Sequence, residues 1–493
     1  MSKTPRNLLF LFSDQHAARV AGCYGDPLAE TPALDALAAR GVTFDAAICP
    51  SPMCVPSRMA MLTARHPHRI GVWGNEDVMH PGLPTMAHAL GAAGLGPILV
   101  GRLHAVGPDQ LAGYARREVG DHHANWSGVA RVHMGPLEGT ASPDRRSLVA
   151  SGRGQSAYEV KDEDVTARAL EVLDELAADL RAGRRERFAL TVGFMLPHAP
   201  FVARAADFDR FAGRVGPARH RPPDPADEHP WITAWRAHRG ILDVTEDEEI
   251  RARTAYYALC HSLDRMIGRV LDRLDALGLT DDTLVVYTSD HGEQIGEHGL
   301  WWKHTFHEDS VRVPLVMAWP GGLPAGERRG GVVNLTDVTA TMLDAMGAPP
   351  IPDADGVSFW RMAQDGAAPW QDRAFSEYCQ GSRFDWGIPG TTQNRMIRRG
   401  RWKLCYYHGH RPQLFDLRDD PGETRDLAGD PRHATLRDAL TAEVLAGWDP
   451  VAIEAEIERN IARKALLRSW AEAVRPPSTL MWPMRPEHNR LDP

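Results

Sequence analysis

Apolar residues run without interruption from Leu8 to Phe12 in "NLLFLF" and stop at the polar stretch "SDQH". A continuous apolar run of this length suits a strand covered on both faces, as in a parallel sheet. "RFALTVGFM" and "DTLVVYTSD" repeat the pattern, and the second again ends in a carboxylate, Asp290. Between these runs the apolar spacing changes to the helical period. "TPALDALAARG" opens on Thr31 and Pro32 and closes on Gly41, the cap and stop signals of a helix. In "EDEEIRARTAYYALCHSLDRMIGRVLDRLDALG", Ile250, Tyr257, Leu263, Ile267, Leu271 and Leu274 recur at helical spacing. Strands alternating with helices predict an α/β layered fold with a mainly parallel sheet. In such folds ligands gather at the carboxyl ends of the strands, where Asp14 and Asp290 both fall.

Two segments fit that scheme poorly. Residues from about 101 to 154 and from about 200 to 243 are rich in Gly, Pro, His and Trp, and they are expected as insertions around the mouth of a site. After "GAPPIPDADGV" the pattern becomes that of antiparallel strands with turns, in "RMIRRGRWKLCYY" and "PQLFDLRDDPGETRDL". The chain is therefore expected to divide into a large α/β domain, 1–370, and a small α+β subdomain, 371–493. The proline-punctuated tail "RPPSTLMWPMRPEHNRLDP" is not expected to be helical.

Composition narrows the class. With 43% hydrophobic and 25% charged residues in 493, the chain reads as a globular enzyme, not a disordered or fibrous protein. A formal net charge of -9 lacks the basic footprint of a nucleic-acid binder. No stretch approaches membrane-spanning length, and the N-terminal apolar run is too short for a secretory segment. Six cysteines are scattered without the spacing of a secreted domain, and Cys49 and Cys54 lack a second ligand pair for zinc. A reduced, cytoplasmic protein is expected.

The stretch "SPMCVPSRMAML" carries the most chemistry. Pro56 suits a first helical turn, so Cys54 lies at a helix N-terminus, where backbone N–H groups and the dipole favour an anion. Arg58, four residues on, shares a face with Cys54 and could hold a tetrahedral oxyanion with its fork of donors. By itself the pattern reads equally as a small buried cysteine with a surface arginine.

"CVPSR" resembles the C-x-P-S-R signature of the sulfatase family, in which the cysteine is converted to formylglycine. Further matches follow in order. "LFSDQ" resembles the first metal-ligand strand, "GRLHAVGPDQL" the G-K-x-H segment and "LPHAPF" the H-x-P-F segment. "TSDHGEQIGEHGLWWKHTFHEDSVRVPL" resembles the second metal and lysine block, and "QLFDLRDDPGETRDL" the C-terminal strand block. The "DQ", "DHGE" and "GPDQL" variants look closest to the choline-sulfatase and phosphonate monoester hydrolase branches.

The resemblance implies an alkaline-phosphatase-like layered fold and hydrolysis of a small-molecule sulfate ester, with phosphonate monoesters or phosphodiesters as the alternative substrates and an unmodified anion-binding protein as the remote one. It implies that Asp14, Gln15, Asp290 and His291 hold one divalent cation (Ca²⁺, Mg²⁺ or Mn²⁺) beside position 54. It further implies that Arg58, His104 and Lys303 bind hydrate or sulfate oxygens, that His198 protonates the leaving oxygen, and that Arg102 and Asn75 line the site. A formylglycine-generating enzyme is the implied maturation partner, and a homo-oligomer (dimer or tetramer) the implied assembly. Two departures stand out. Gln15 replaces the second aspartate of many arylsulfatases, removing a negative charge, and Arg102 replaces a lysine, a planar fork for a point charge. Trp126 is expected in the core and Trp482 as an anchor for the tail.

Overall fold

In the computed structural model, which describes residues 4–224, 227–381 and 392–492, the first apolar run becomes the strand Asn7–Asp14, buried at every position. It lies between Thr283–Ser289 and Ala189–Pro197, parallel to both. The central sheet continues in the order Glu327–Asn334, Val42–Ile48, Leu315–Ala318, Thr283–Ser289, Asn7–Asp14, Ala189–Pro197, Ile98–Gly101, Arg116–Glu118. Only Leu315–Ala318 and the short Arg312–Val313 run against their neighbours. The fold class is thus the expected α/β one. Helices cover the sheet, among them the 31-residue Glu246–Ala276, whose Thr245 and Glu248 form a reciprocal cap. Of its predicted stripe, Tyr257, Leu263, Ile267, Leu271 and Leu274 are buried, while Ile250 is half-buried.

The segment expected as a pure insertion from about 101 to 154 is partly structural. Arg116–Glu118 within it is the edge strand of the central sheet, paired with Ile98–Gly101. Three residues with alternating exposure are too few for a periodic signal.

A separate four-stranded antiparallel sheet, Arg373–Gln380, Thr392–Arg399, Trp402–Tyr407 and Gln413–Asp416, follows. Ile397, Leu404 and Leu414 on it pack with Leu440 and Val444 of the helix Ala434–Leu445. Beyond the helix Pro450–Val474 the tail turns back onto the first part of the chain. The Trp482 backbone N–H donates to the Asp121 carbonyl at 2.7 Å, and its indole N–H to Asp164 at 2.7 Å. Arg490–Leu491 pairs with Gly152–Gln155. Trp482 is the anchor expected of it. Trp126 is not core: it is half-buried, with its ring edge-on to Trp470 at 5.2 Å. Among the described residues, no helix is long and apolar enough to cross a membrane.

Candidate active site

The helix Cys54–Thr63 begins without a side-chain cap from its own N-cap residue, Met53, and all ten of its residues are buried. Asn75 supplies what Met53 cannot, its Oδ1 accepting the Val55 N–H at 3.0 Å. Cys54, Ser57 and Arg58 project from one end of the helix toward the carboxyl ends of two central strands. Ser57 Oγ donates to the Asp290 carbonyl at 2.5 Å. Arg58, 1% exposed, packs its guanidinium over the Phe12 ring at 4.5 Å. Its Nε donates to Asp290 at 2.8 Å and its Nη2 to Asp14 at 3.0 Å.

Asp14, Cys54, Asp290 and His291 bring one ligand atom each within 4.8 Å of one another, and all four are buried. The hydrogen bonds orient each donor. Asp14 gives Oδ2 to Arg58 and, at 2.6 Å, to Arg102, which leaves Oδ1 facing Cys54 Sγ at 3.7 Å. His291 donates Nδ1–H to the Gly292 carbonyl at 3.0 Å, so the Nε2 lone pair points at Cys54 Sγ, 3.2 Å away. Burial, and after it the Lys303 charge, lower the His291 imidazole to about 4, which keeps that lone pair free. Burial alone would raise the Asp14 carboxyl, but the Arg102, Arg58 and Lys303 charges outweigh it and hold Asp14 well below the usual range. Two carboxylates, which are hard oxygen donors, and one neutral imidazole with their ligand atoms this close together fit a divalent cation.

Lys303 closes the other side. Its Nζ lies 3.1 Å from Cys54 Sγ, 3.0 Å from His198 Nε2 and 2.7 Å from Gln15 Oε1. Trp301 and Trp302, both buried, precede it, so the ammonium is enclosed. His198 donates Nδ1–H to the Ala199 carbonyl at 2.6 Å. Burial and the Lys303 charge keep its ring neutral, with Nε2 as acceptor. His104, in the left-handed region at φ 64°, accepts from Arg102 Nη2 at 2.6 Å through Nδ1. That bond leaves its proton on Nε2, a donor. Burial, then Arg102, holds the His104 pKa well below normal. Arg58 and Arg102 each keep one buried Nη1 without a hydrogen bond, that of Arg102 lying 3.9 Å from Asp121 Oδ1.

Of the residues expected from sequence, Asp14, Cys54, Arg58, Arg102, His104, His198, Asp290, His291 and Lys303 meet through these contacts. Gln15 joins them through Lys303, and Asn75 only through the backbone of Val55. Sequence reading passed over four neighbours. Asp121 Oδ2 accepts the His104 N–H at 2.8 Å and Arg117 at 2.5 Å. The His123 ring lies 4.8 Å from His104, and Tyr158 lies 5.9 Å from His198. Glu293 accepts from the Gln15 amide. The run "GDHHANW" and the last letter of "DHGE" were the available signals.

Comparison with known proteins follows the same lines. Residues 6–348 match the family model described as Sulfatase, and residues 296–447 match the one described as N-sulphoglucosamine sulphohydrolase, C-terminal. The choline-sulfatase of Rhizobium meliloti is 32% identical over 97% of this chain and 93% of its own length. Arylsulfatase K of Mus musculus is 28% identical over 86% of this chain and 76% of its own. The crystal structure of a phosphonate monoester hydrolase from Agrobacterium radiobacter superposes with a TM-score of 0.72 at 23% identity, covering 90% of this chain and 95% of that one.

Proposed function

The chain belongs to the sulfatase family, whose members hydrolyse sulfuric esters, and on that premise we propose that it cleaves small sulfate monoesters at position 54 after conversion of Cys54 to formylglycine. The observation that carries this reading is the convergence on Cys54 Sγ of His291 Nε2, Lys303 Nζ and Asp14 Oδ1, at 3.2, 3.1 and 3.7 Å. A plain thiol attacking sulfur would leave an ester with no exit. As formylglycine, the residue supplies a hydrate with two geminal oxygens, one to attack sulfur and one whose proton loss expels sulfate. Asp14, Gln15, Asp290 and His291 would hold one divalent cation, which when bound acts as a Lewis acid that acidifies the nucleophile.

The chain's own residues do the rest. The start of the helix at Cys54 presents backbone N–H groups and the positive end of its dipole to the sulfate. Arg58 and Arg102, each with a buried Nη1 that makes no hydrogen bond, bind its non-bridging oxygens, and neutral His104 offers Nε2–H. The proton for the departing oxygen is held by the His198 Nε2–Lys303 Nζ pair. Arg58, Arg102 and Lys303 could by charge alone hold a dianion, but ligands for a single cation and the neutral Gln15 favour a monoanionic group. Sulfate monoesters therefore come first, with phosphonate monoesters and phosphodiesters, also monoanionic, as slower substrates and phosphate monoesters behind them. The same reading has the chain modified by a formylglycine-generating enzyme and assembled as a homo-oligomer in the cytoplasm.

The test is a peptide spanning Cys54 from protein co-expressed with the maturation enzyme, together with kcat/KM on matched aryl sulfate, phosphonate and phosphate esters. An aldehyde at position 54 and a preference for sulfate are expected. Active protein that carries only the thiol, or faster phosphate monoester cleavage, overturns the reading.

A further inference from the structure

Gln15 stands where many arylsulfatases carry a second aspartate, and the structure shows where the carboxylate has gone. Glu293, fully buried and 278 residues away in sequence, places Oε2 2.5 Å from the Gln15 amide nitrogen. Its Oε1 accepts the backbone N–H groups of Ile295 at 2.9 Å and Trp302 at 2.6 Å. Gln15, Ile295 and Trp302 all have left-handed backbones, with φ of 67°, 34° and 60°. Non-glycine residues hold such conformations only where their surroundings over-determine them. One carboxylate joins all three.

We infer that Glu293 is a positioning residue that fixes the polarity of the Gln15 amide and, through it, the aim of Lys303 at position 54. Lys303 offers only donors, so it takes the Gln15 Oε1 and leaves the Gln15 NH₂ to donate to Glu293 Oε2. A single amide orientation satisfies both: nitrogen toward Glu293, Oε1 toward Lys303 and the cluster around position 54. The three protons of the ammonium are then spent on Gln15 Oε1, Cys54 Sγ and His198 Nε2. The carboxyl group absent at position 15 is thereby found one residue further out, and what reaches the cluster is the carbonyl end of an amide. This inference rests on the site reading given above, and it adds to it a residue that touches neither substrate nor cation.

Exchange of the two residue types tests it. In Glu293→Gln, the new amide must turn its oxygen to the Ile295 and Trp302 N–H groups, so its NH₂ faces Gln15. Gln15 then flips, and its own NH₂ meets the Lys303 ammonium, donor against donor. In Gln15→Glu, two carboxylates face each other at the short Gln15–Glu293 contact. In the double variant Gln15→Glu/Glu293→Gln every contact is restored with donor and acceptor exchanged. Each single variant is expected to lose roughly 10- to 100-fold in kcat with a smaller change in KM, and the double variant to recover to within about threefold of the parent. The same cycle is read without turnover, as the rise in melting temperature on adding Ca²⁺ or Mn²⁺, which should fall in each single variant and return in the double.

Additive losses in both readouts overturn the inference, because a merely structural role predicts no rescue by exchange. A parent protein inactive on every ester defeats the functional reading instead, and the metal-induced melting shift then decides the Gln15–Glu293 coupling alone.

Discussion

Lys303 Nζ lies 3.0 Å from His198 Nε2 and 3.1 Å from Cys54 Sγ, so one ammonium touches both the proposed nucleophile and the ring proposed to serve the leaving group. A general acid contributes roughly 10²–10⁴-fold, most when the departing oxygen is strongly basic. His198→Ala should therefore slow alkyl sulfates far more than nitrophenyl sulfate. Steady-state kinetics on the two classes decide it, and equal losses would remove His198 from that role.

Arg102 serves Asp14 with Nε and His104 with Nη2, at 2.6 Å each. A lysine ammonium can satisfy one of these partners but cannot reproduce the fork. Arg102→Lys is expected to lower kcat/KM by about 10- to 100-fold, each tenfold step corresponding to about 1.4 kcal/mol. An unchanged kcat/KM would show that the family's lysine and this arginine are interchangeable here.

Asn75 caps the helix that carries position 54. Removing such a cap costs about 0.5–2 kcal/mol. Asn75→Ala should lower the unfolding free energy by that amount and raise KM, whereas Asn75→Asp keeps the acceptor and should retain stability. Denaturant titration of both variants separates the cap from a contact with substrate.

The buried His229 is one of several histidines that make the fold sensitive to acid. Its Nδ1 accepts the Trp231 N–H at 3.2 Å while its Nε2–H donates to the Arg411 carbonyl at 2.8 Å, an arrangement that needs the neutral ring. Burial, with the Arg411 charge adding to it, lowers its pKa from 6.5 to about 4. Between these values the unfolded chain binds a proton that the folded chain refuses, so stability present above 6.5 is lost as the pH falls toward 4. His229→Asn retains an acceptor for Trp231 and should flatten the dependence of unfolding free energy on pH in that window. An identical slope in both proteins would assign the acid sensitivity to other groups.

The central strands were legible because burial on both faces leaves an unbroken apolar run, and Asp14 and Asp290 mark where two of those runs end. Cys54 and Arg58 were legible because a helix start fixes their relative placement within four residues. Glu293 was not, since its role depends on an amide contact across 278 residues and on left-handed turns at Gln15 and Trp302 that no local pattern encodes. Nor was the return of Trp482 to Asp121, where a backbone hydrogen bond joins the end of the chain to the residue that accepts the His104 N–H. Arg116–Glu118 escaped for the opposite reason, being too short to show any period.

If Cys54 is converted as proposed, the depth of position 54 sets a clock on that conversion. Cys54 is 1% exposed, enclosed by a helix without a solvent-facing residue and by side chains from far along the chain. No modifying enzyme can reach the thiol once these have closed over it. Lys303 is made 249 residues after Cys54, which at about 5–20 residues per second leaves roughly 10–50 s in which the cysteine has been synthesised but its lid has not. Faster translation, or an earlier collapse of the first strands, would shorten that interval and yield folded but permanently unmodified protein. Under the proposed conversion, the fraction of aldehyde in a purified sample would record how the race between synthesis and modification was run in the cell that made it.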